Sequence, residues 1–389
     1  MRKKLQIVLS VVCMAALFGG CTTTKEPAKK PIVNQGESGE TEEDPRQGNL
    51  DALNPTAYRD VTGINLEPGS YISIIGKNSG SEFWKEVEAG AIKAGEDINE
   101  ALGYKGEDKI KVNFSGSAKG ENVEEQINIL DEELARNPVA LGIAIIDSSA
   151  SEVQFDLAAE NGTPIVAFDS GSDYKGIQAM CSANNKEIGK TAAIKLAGTI
   201  GDTGKVAVFV HDSASTSGKL REAAFLEELK EGYPGITAPV IYHLDDYNKV
   251  AKEIAKERNA KKAEGEEDIT PEEITQTEVI QYMLEKNPDV TGCFATNVDA
   301  SQELLKALES MKKEMPVVAV DGGKEQLKAL EDGKLSGLIV QNPYGMGYAV
   351  VVSAARAALG MGNEAFVDTG FIWVTKENMK DKNIKKMLY

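Results

Sequence analysis

Histidine, cysteine and the sequence signatures of common enzymes are scarce in this chain of 389 residues. The two histidines, His211 and His243, stand too far apart for a short metal motif, and no cysteine–histidine cluster accompanies them. The sequence has no Gly-x-Ser-x-Gly elbow and no Rossmann glycine fingerprint, and Asn184 stands where a phosphate loop ending at Thr191 needs its first glycine. We therefore expect a protein that is not an enzyme and that uses neither a metal nor a cofactor.

Basic residues and thiols are also few. Lysine and arginine number 43 against 61 aspartates and glutamates, which gives a formal net charge of −18. Because nucleic acids bind clustered basic residues, we exclude nucleic acid as a partner. Beyond the first 21 residues only Cys181 and Cys293 remain, too few for a disulfide framework. We expect both to be small, buried apolar residues.

The longest apolar run lies at the start of the chain. Three basic residues at positions 2–4 precede the apolar residues 5–18, and two glycines lead to Cys21. This run is too short for a comfortable transmembrane helix. Because residues 17–21 resemble the bacterial lipobox, we predict a lipoprotein signal peptide over 1–20 and lipid attachment at Cys21. The alternative is an ordinary cleaved signal with an incidental cysteine. The polar composition of residues 21–69 predicts a disordered tether.

From Tyr71 onward, short apolar runs alternate with helical stretches. Ten runs predict strands, at 71–76, 109–116, 140–147, 163–169, 176–183, 205–211, 239–244, 292–297, 316–321 and 336–342. Continuous apolar runs of this length indicate parallel strands buried on both faces. Repeated strand–helix units predict doubly wound α/β sheets, and ten strands exceed the needs of one compact domain. We therefore predict two α/β lobes. The charged stretch 251–278 is expected to include a surface helix that begins at Thr270.

Polar residues follow several of these strands directly. Lys77, Asp169, Asn297, Asp321 and Gln341 each stand at or just beyond a strand end. Ligands of open parallel sheets bind beyond the carboxyl ends of the strands. Carboxylates and amides suit hydroxyl groups, which both donate and accept hydrogen bonds. The alternative is that these side chains cap helices or stabilise turns.

Several segments match one family in residues and in order. They are Phe83-Trp84, Ile165–Asp169, Asn184–Lys190, Ser217–Phe225, Asp246–Lys249, Phe294–Asn297, Val318–Gly322 and Val340–Gly347. Through them the chain from about Tyr71 to its end resembles the type I periplasmic-binding proteins for simple sugars, the ribose, galactose and arabinose group. The resemblance implies two lobes joined by a three-segment hinge. Lobe one would span 70–183 plus 342–369, and lobe two 184–341 plus 370–389.

The same resemblance implies roles for individual residues. Phe83, Trp84 and Tyr247 would flank the apolar faces of a sugar ring. Asp169, Lys219, Asn297, Asp321 and Gln341 would bind its hydroxyl groups. Lys219 stands where the family usually has arginine, and Lys77 falls where arabinose binders carry a lysine.

The function implied is that of an extracytoplasmic solute-binding protein. It would be a monomer anchored to the membrane by its lipid, and it would close over a small polar ligand, above all a monosaccharide, and deliver it to an ABC permease. Two alternatives remain open. The chain would present its ligand to a membrane receptor or kinase as a sensor subunit, or it would bind a nucleoside or a furanose signal.

Overall fold

The computed structural model describes residues 45–118 and 120–389. The predicted signal peptide, Cys21 and the tether up to residue 44 lie outside the described residues. Among the described residues, no helix combines the length and the apolar composition that crossing a bilayer requires.

The described part of the chain alternates strands and helices from residue 71 to residue 358. The strands are β1 Tyr71–Asn78, β2 Lys111–Ser117, β3 Ala140–Ile143, β4 Ile165–Phe168, β5 Ile177–Ser182, β6 Thr203–Val210, β7 Gly235–His243, β8 Gly292–Ala295, β9 Val317–Val320, β10 Gly337–Gln341, β11 Phe366–Asp368 and β12 Phe371–Val374. The helices are α1 Gln47–Asp51, α2 Glu82–Leu102, α3 Val123–Leu134, α4 Glu152–Glu160, α5 Asn185–Ile200, α6 Thr216–Gly232, α7 Tyr247–Asn259, α8 Gln276–Lys286, α9 Val298–Ser310, α10 Lys324–Glu331, α11 Pro343–Ala358 and α12 Lys382–Lys385.

The strands form two sheets of six, with the orders β11-β5-β4-β3-β1-β2 and β12-β10-β9-β8-β6-β7. All neighbours pair in parallel except β12, which runs antiparallel to β10. We call the first sheet with its helices lobe one and the second lobe two. The chain crosses between them at residues 182–185, 341–343 and 368–371. The predicted fold class, two doubly wound lobes with a three-segment hinge, is confirmed.

Each lobe contains a pair of helices in unusually close contact. A Cβ atom on Gly90 of α2 would lie 1.9 Å from the Tyr344 carbonyl oxygen of α11. A Cβ atom on Gly189 of α5 would lie 2.3 Å from the Arg221 carbonyl oxygen of α6. Glycine is therefore required at both positions. The close packing fixes α2 and α6, whose first turns face the space between the lobes.

The structure corrects the predicted extent of the tether. The chain over 45–69 is ordered, and its apolar side chains are buried in the core of lobe one: Leu50, Leu53, Tyr58, Ile64 and Leu66. The prediction of disorder for this stretch is wrong, because five well-spaced apolar side chains are enough to attach it to an existing core. Average composition hides such a pattern.

The secondary structure differs from the prediction in two further places. The short strands β11 and β12 were not predicted, because three or four residues give too little periodicity. The helix expected from Thr270 is a single 3₁₀ turn at Pro271–Glu273. The α-helix α8 begins at Gln276 after a second capping box, formed by Thr275 and Glu278.

Candidate functional site

A cavity of about 80 Å³ lies between the lobes, at the carboxyl ends of both sheets. Seven of the nine predicted ligand-binding residues line it: Lys77, Phe83, Trp84, Asp169, Asn297, Asp321 and Gln341. Its other lining residues are Asn78, Ser81, Glu121, His211, Ser217, Arg221, Val298 and Asp299. Five of the fifteen lining residues were predicted from strand ends, and Phe83 and Trp84 were predicted from the family resemblance.

The first turn of α2 forms the apolar wall of the cavity. Ser81 caps the helix by accepting a hydrogen bond from the Trp84 amide. The rings of Phe83 and Trp84 meet edge to face with centroids 5.1 Å apart, and Trp84 packs against Phe168 in the same manner at 6.1 Å. Both residues at the wall are buried and held by neighbouring rings, so they offer a rigid aromatic surface to a ligand.

A buried cation stands beside this wall. Lys77 is 2% exposed, and its Nζ lies 3.4 Å from Asp169 Oδ2 and 3.8 Å from Glu121 Oε2. Burial by itself disfavours the charged lysine, but the two carboxylates outweigh it and raise the pKa of Lys77. Burial raises the pKa of Glu121 to about 7. Asp169 is the nearer of the two carboxylates to Lys77.

Asp321 occupies the opposite side with different partners. Its Oδ1 accepts a hydrogen bond from Gln341 Nε2 at 2.6 Å, and its Oδ2 accepts one from the Val298 amide at 3.2 Å. Burial raises the pKa of this carboxyl. Gln341 Oε1 is buried and has no hydrogen-bond partner among the described residues. A buried acceptor at a cavity wall is costly unless a ligand supplies the donor.

Backbone geometry distinguishes the two aspartates from ordinary turn residues. Asp169 has φ of 55° and Asp321 has φ of 82°, both in the left-handed region that non-glycine residues rarely adopt. Such strain concentrates at functional sites. Asn297, in contrast, caps α9 by accepting a hydrogen bond from the Ala300 amide at 2.8 Å. Asn297 is therefore a helix cap, which was the alternative to a ligand-binding role, although its side chain also lines the cavity.

Lys219 is not part of the cavity lining, and the expectation placed on it is wrong. It is exposed, whereas Arg221 is 2% exposed. Arg221 Nε donates to Asn185 Oδ1 at 2.8 Å, and its Nη1 donates to the Thr296 carbonyl at 2.6 Å. Ser217, Arg221 and Phe225 stand four residues apart on the buried face of α6. This helical spacing was the signal that could have found Arg221.

Tyr247 also lies away from the cavity. Its hydroxyl donates to the Ile274 carbonyl, so its ring packs within lobe two. The ring of Tyr389 is not part of the cavity lining either, but it packs against Phe83 of the aromatic wall. Its centroid is 6.1 Å from that of Phe83, and its hydroxyl accepts a hydrogen bond from the Gly322 amide at 3.2 Å. Nothing in the sequence pattern singled out Tyr389, because no motif or strand end contains it.

His211 was considered only as a metal ligand, yet it follows β6 as other site residues follow their strands. Its Nδ1 lies 2.8 Å from Thr296 Oγ1 and its Nε2 lies 3.2 Å from Ser215 Oγ. Burial lowers the pKa of His211 to about 3, so the imidazole is neutral near pH 7. Residues 45–118 and 120–389 hold no group of three or more His, Cys, Asp or Glu side chains placed to share a metal ion.

Residues 72–362 match the family described as the periplasmic binding protein domain. The chain belongs to this family. The family match and the relatives confirm the resemblance to the type I periplasmic binding proteins of the sugar type. The ribose import binding protein RbsB of Bacillus subtilis (strain 168) is 27% identical over 204 residues, 52% of this chain and 58% of that protein. The matched region thus spans little more than half the length of this curated relative.

Solved structures of similar proteins extend the comparison. A carbohydrate transporter solute binding protein from Agrobacterium radiobacter, in complex with D-arabinose, is 29% identical. That match covers 82% of this chain and 99% of the other, with a TM-score of 0.67. AraP, an arabinose binding protein from Geobacillus stearothermophilus, is 22% identical and shares the fold. Here 83% of this chain and 100% of the other are covered, with a TM-score of 0.63.

The lobes of this periplasmic binding protein touch on two sides of the cleft. Glu82 of α2 forms an ion pair with Lys324 of α10, at 2.5 Å. Near the hinge, the Thr216 amide donates to Ser170 Oγ at 3.1 Å. A larger cavity of about 360 Å³ adjoins the hinge, but much of its lining is apolar, whereas the smaller cavity holds the converging polar groups. The smaller cavity is therefore the candidate ligand site.

Proposed function

We propose that this protein binds a monosaccharide between its lobes and delivers it to an ABC importer, while a lipid on Cys21 holds it at the outer face of the membrane. The observation that carries the proposal is the buried, unpartnered Gln341 Oε1 beside the rigid Phe83-Trp84 wall. A sugar presents hydroxyl donors around its edge and apolar C–H groups on its faces. One such molecule would satisfy both surfaces at once.

The relatives support this choice of ligand. The Bacillus subtilis relative is a ribose import binding protein, and the Agrobacterium radiobacter protein was solved with D-arabinose. The two cations of the cavity already have partners within the protein, which suits a neutral ligand: Lys77 pairs with Asp169, and Arg221 donates to Asn185 and Thr296. A neutral polyol leaves these pairs intact.

Calorimetry with a panel of D-ribose, D-arabinose, D-galactose and D-glucose tests the proposal. We expect at least one sugar to bind, and Gln341→Ala to weaken that binding by about tenfold through the loss of a buried hydrogen bond. Gln326→Ala is the matched control, because Gln326 is a buried glutamine of the same lobe that bonds Ser301 and Val320 and does not line the cavity. The proposal fails if no pentose or hexose binds the parent protein.

The anchor is tested separately by fractionating cells that express Cys21→Ser. We expect the variant to leave the membrane fraction, because the lipid would have no attachment site. Membrane retention equal to that of the parent would reject Cys21 as the anchor and leave sugar binding unaffected.

A further inference from the structure

The segment 45–58 lies outside the matched residues 72–362, yet it contacts two of the three chain crossings between the lobes. Asn49, 1% exposed, donates through Nδ2 to Asn342 Oδ1 at 2.8 Å. Asn342 Nδ2 in turn donates to the Asn49 carbonyl at 2.7 Å and to the Thr369 carbonyl at 2.9 Å. One buried side-chain pair thus joins this segment to residues 341–343 and 368–371.

A second contact joins the same segment to the crossing at residues 368–371. The Asn54 amide donates to the Asp368 carbonyl at 2.9 Å, and the Asp368 amide donates to the Asn54 carbonyl at 2.8 Å. This two-way bond is an antiparallel bridge at the last residue of β11. Gly370 lies so near that its Cβ would be 3.4 Å from the Ala52 carbonyl oxygen. The segment therefore lies along the crossing and not only beside it.

Apolar and polar anchors attach the segment firmly to lobe one. Leu50 and Leu53 are buried in the lobe-one core. The Tyr58 hydroxyl donates to Asn363 Oδ1 at 3.2 Å and accepts from the Glu364 amide at 2.7 Å. Because one end is fixed in this core, the hydrogen bonds of Asn49 and Asn54 hold the crossings in place relative to lobe one.

The crossing at residues 341–343 leads directly into the candidate site. Asn342 follows Gln341, whose side chain lines the cavity and donates to Asp321. Asn342 Oδ1 also caps α11 by accepting from the Gly345 amide at 3.0 Å. We propose that residues 45–58 are a hinge brace in which Asn49 is a positioning residue: it fixes Asn342, and through it the carboxamide of Gln341, in the orientation that binds sugar. This inference rests on the proposed function.

The decisive variant is Asn49→Ala, compared with Asn99→Ala. Asn99 is also a buried asparagine of lobe one, and its side chain bonds both backbone groups of Ile110, far in the chain from the crossings. We expect Asn49→Ala to weaken binding of the panel sugars by about three- to tenfold, the factor of one buried neutral hydrogen bond. Asn99→Ala should lower stability in urea and leave the Kd unchanged. An unchanged Kd for Asn49→Ala would overturn the positioning role.

A readout that needs no sugar separates this inference from the proposed function. In ligand-free protein, hydrogen exchange of the peptide spanning 341–347 should be faster in Asn49→Ala than in the parent or in Asn99→Ala. If exchange is unchanged, the brace is rejected.

If the parent binds no sugar, the proposed function fails, and faster exchange still supports a brace on the crossing. Should Asn49→Ala not fold, sugar-dependent slowing of exchange at Asn54 and Asp368 in the parent decides the question, and its absence rejects the brace.

Discussion

The two lobes use the same sheet order but surround the ligand site with different chemistry. Asp169 follows β4 and Asp321 follows β9, the third strands in the two sheet orders, and both have positive φ. Asp169 faces a buried cation, Lys77, whereas Asp321 is held by neutral donors from Gln341 and the Val298 amide. Equivalent backbone positions thus present one carboxylate in a direct ion pair and one held by neutral hydrogen-bond donors, with Arg221 attracting the second at longer range.

The comparison teaches that fold position and electrostatic role are set separately. The doubly wound sheet delivers a side chain to the cleft at the end of each strand. The strand next but one in each sheet carries a different residue that also lines the cavity: Lys77 from β1 in lobe one and His211 after β6 in lobe two. Burial keeps His211 neutral, so the cation that attracts Asp321 is Arg221, which acts on it at longer range than Lys77 acts on Asp169.

The largest expected effect comes from removing the two aspartates one at a time. Asp169→Ala and Asp321→Ala should each weaken sugar binding by about 10- to 100-fold, because in the proposed complex each carboxylate would accept hydrogen bonds from sugar hydroxyls. Asp169→Ala should also lower the free energy of unfolding by about 3 kcal/mol, since Lys77 would be left as a buried, poorly compensated charge. Asp321→Ala removes a carboxylate with a raised pKa and should cost far less. Calorimetry and urea unfolding measure both quantities. Equal stability losses would contradict the comparison.

A second test compares the two basic residues of α6. Arg221→Ala should weaken sugar binding by about tenfold or more, because a buried guanidinium bound to Asn185 and Thr296 holds the lobe-two side of the site. Lys219→Ala, two residues away and exposed, should bind as the parent does. A loss of affinity in Lys219→Ala would restore the family-based assignment that the structure corrects.

Opposite pH dependence is expected for one carboxyl from each lobe. Burial raises the pKa of Glu121 to about 7, so its contribution to stability is present below about pH 4.5 and is lost as the pH rises through 7. Burial opposes ionisation of Asp212, but the charge of Lys77 and hydrogen bonds from Ser215 lower its pKa, so its contribution is lost as the pH falls below about 3.8.

Urea unfolding as a function of pH measures these contributions. Between pH 4.5 and 7, Glu121→Gln should gain about 1–2 kcal/mol relative to the parent, a range reduced because the side chain is 26% exposed. Asp212→Asn should show its deficit at neutral pH and approach the parent in acid. Parallel curves for the parent and Glu121→Gln would refute the raised pKa.

The smallest effect is expected from the hydroxyl of Tyr389. Tyr389→Phe removes the acceptor of the Gly322 amide and keeps the ring against Phe83, so affinity should fall by about two- to fivefold. Tyr247→Phe is the matched control, because that hydroxyl bonds only main-chain carbonyls within lobe two. Equal sugar affinities of the parent, Tyr389→Phe and Tyr247→Phe would show that the Tyr389 hydroxyl does not contribute to binding.

Strand ends were predictable from the sequence because their signal is local. A short apolar run followed by a polar residue identifies both the strand and its carboxyl end, and this pattern located Lys77, Asp169, Asn297, Asp321 and Gln341. The aromatic pair Phe83-Trp84 was predicted through its family resemblance. Arg221 was missed although its four-residue spacing from Ser217 and Phe225 was visible, because the resemblance was placed on Lys219.

The sequence alone determined the fold class, since alternating buried strands and amphipathic helices admit few arrangements other than doubly wound sheets. It also determined which strand ends carry polar groups. Only the tertiary structure decided that Tyr247 lies away from the cavity while Tyr389 packs beside Phe83, and that residues 45–69 pack onto lobe one. Both outcomes depend on contacts between segments hundreds of residues apart, and such contacts form because they bury apolar area that local patterns do not reveal.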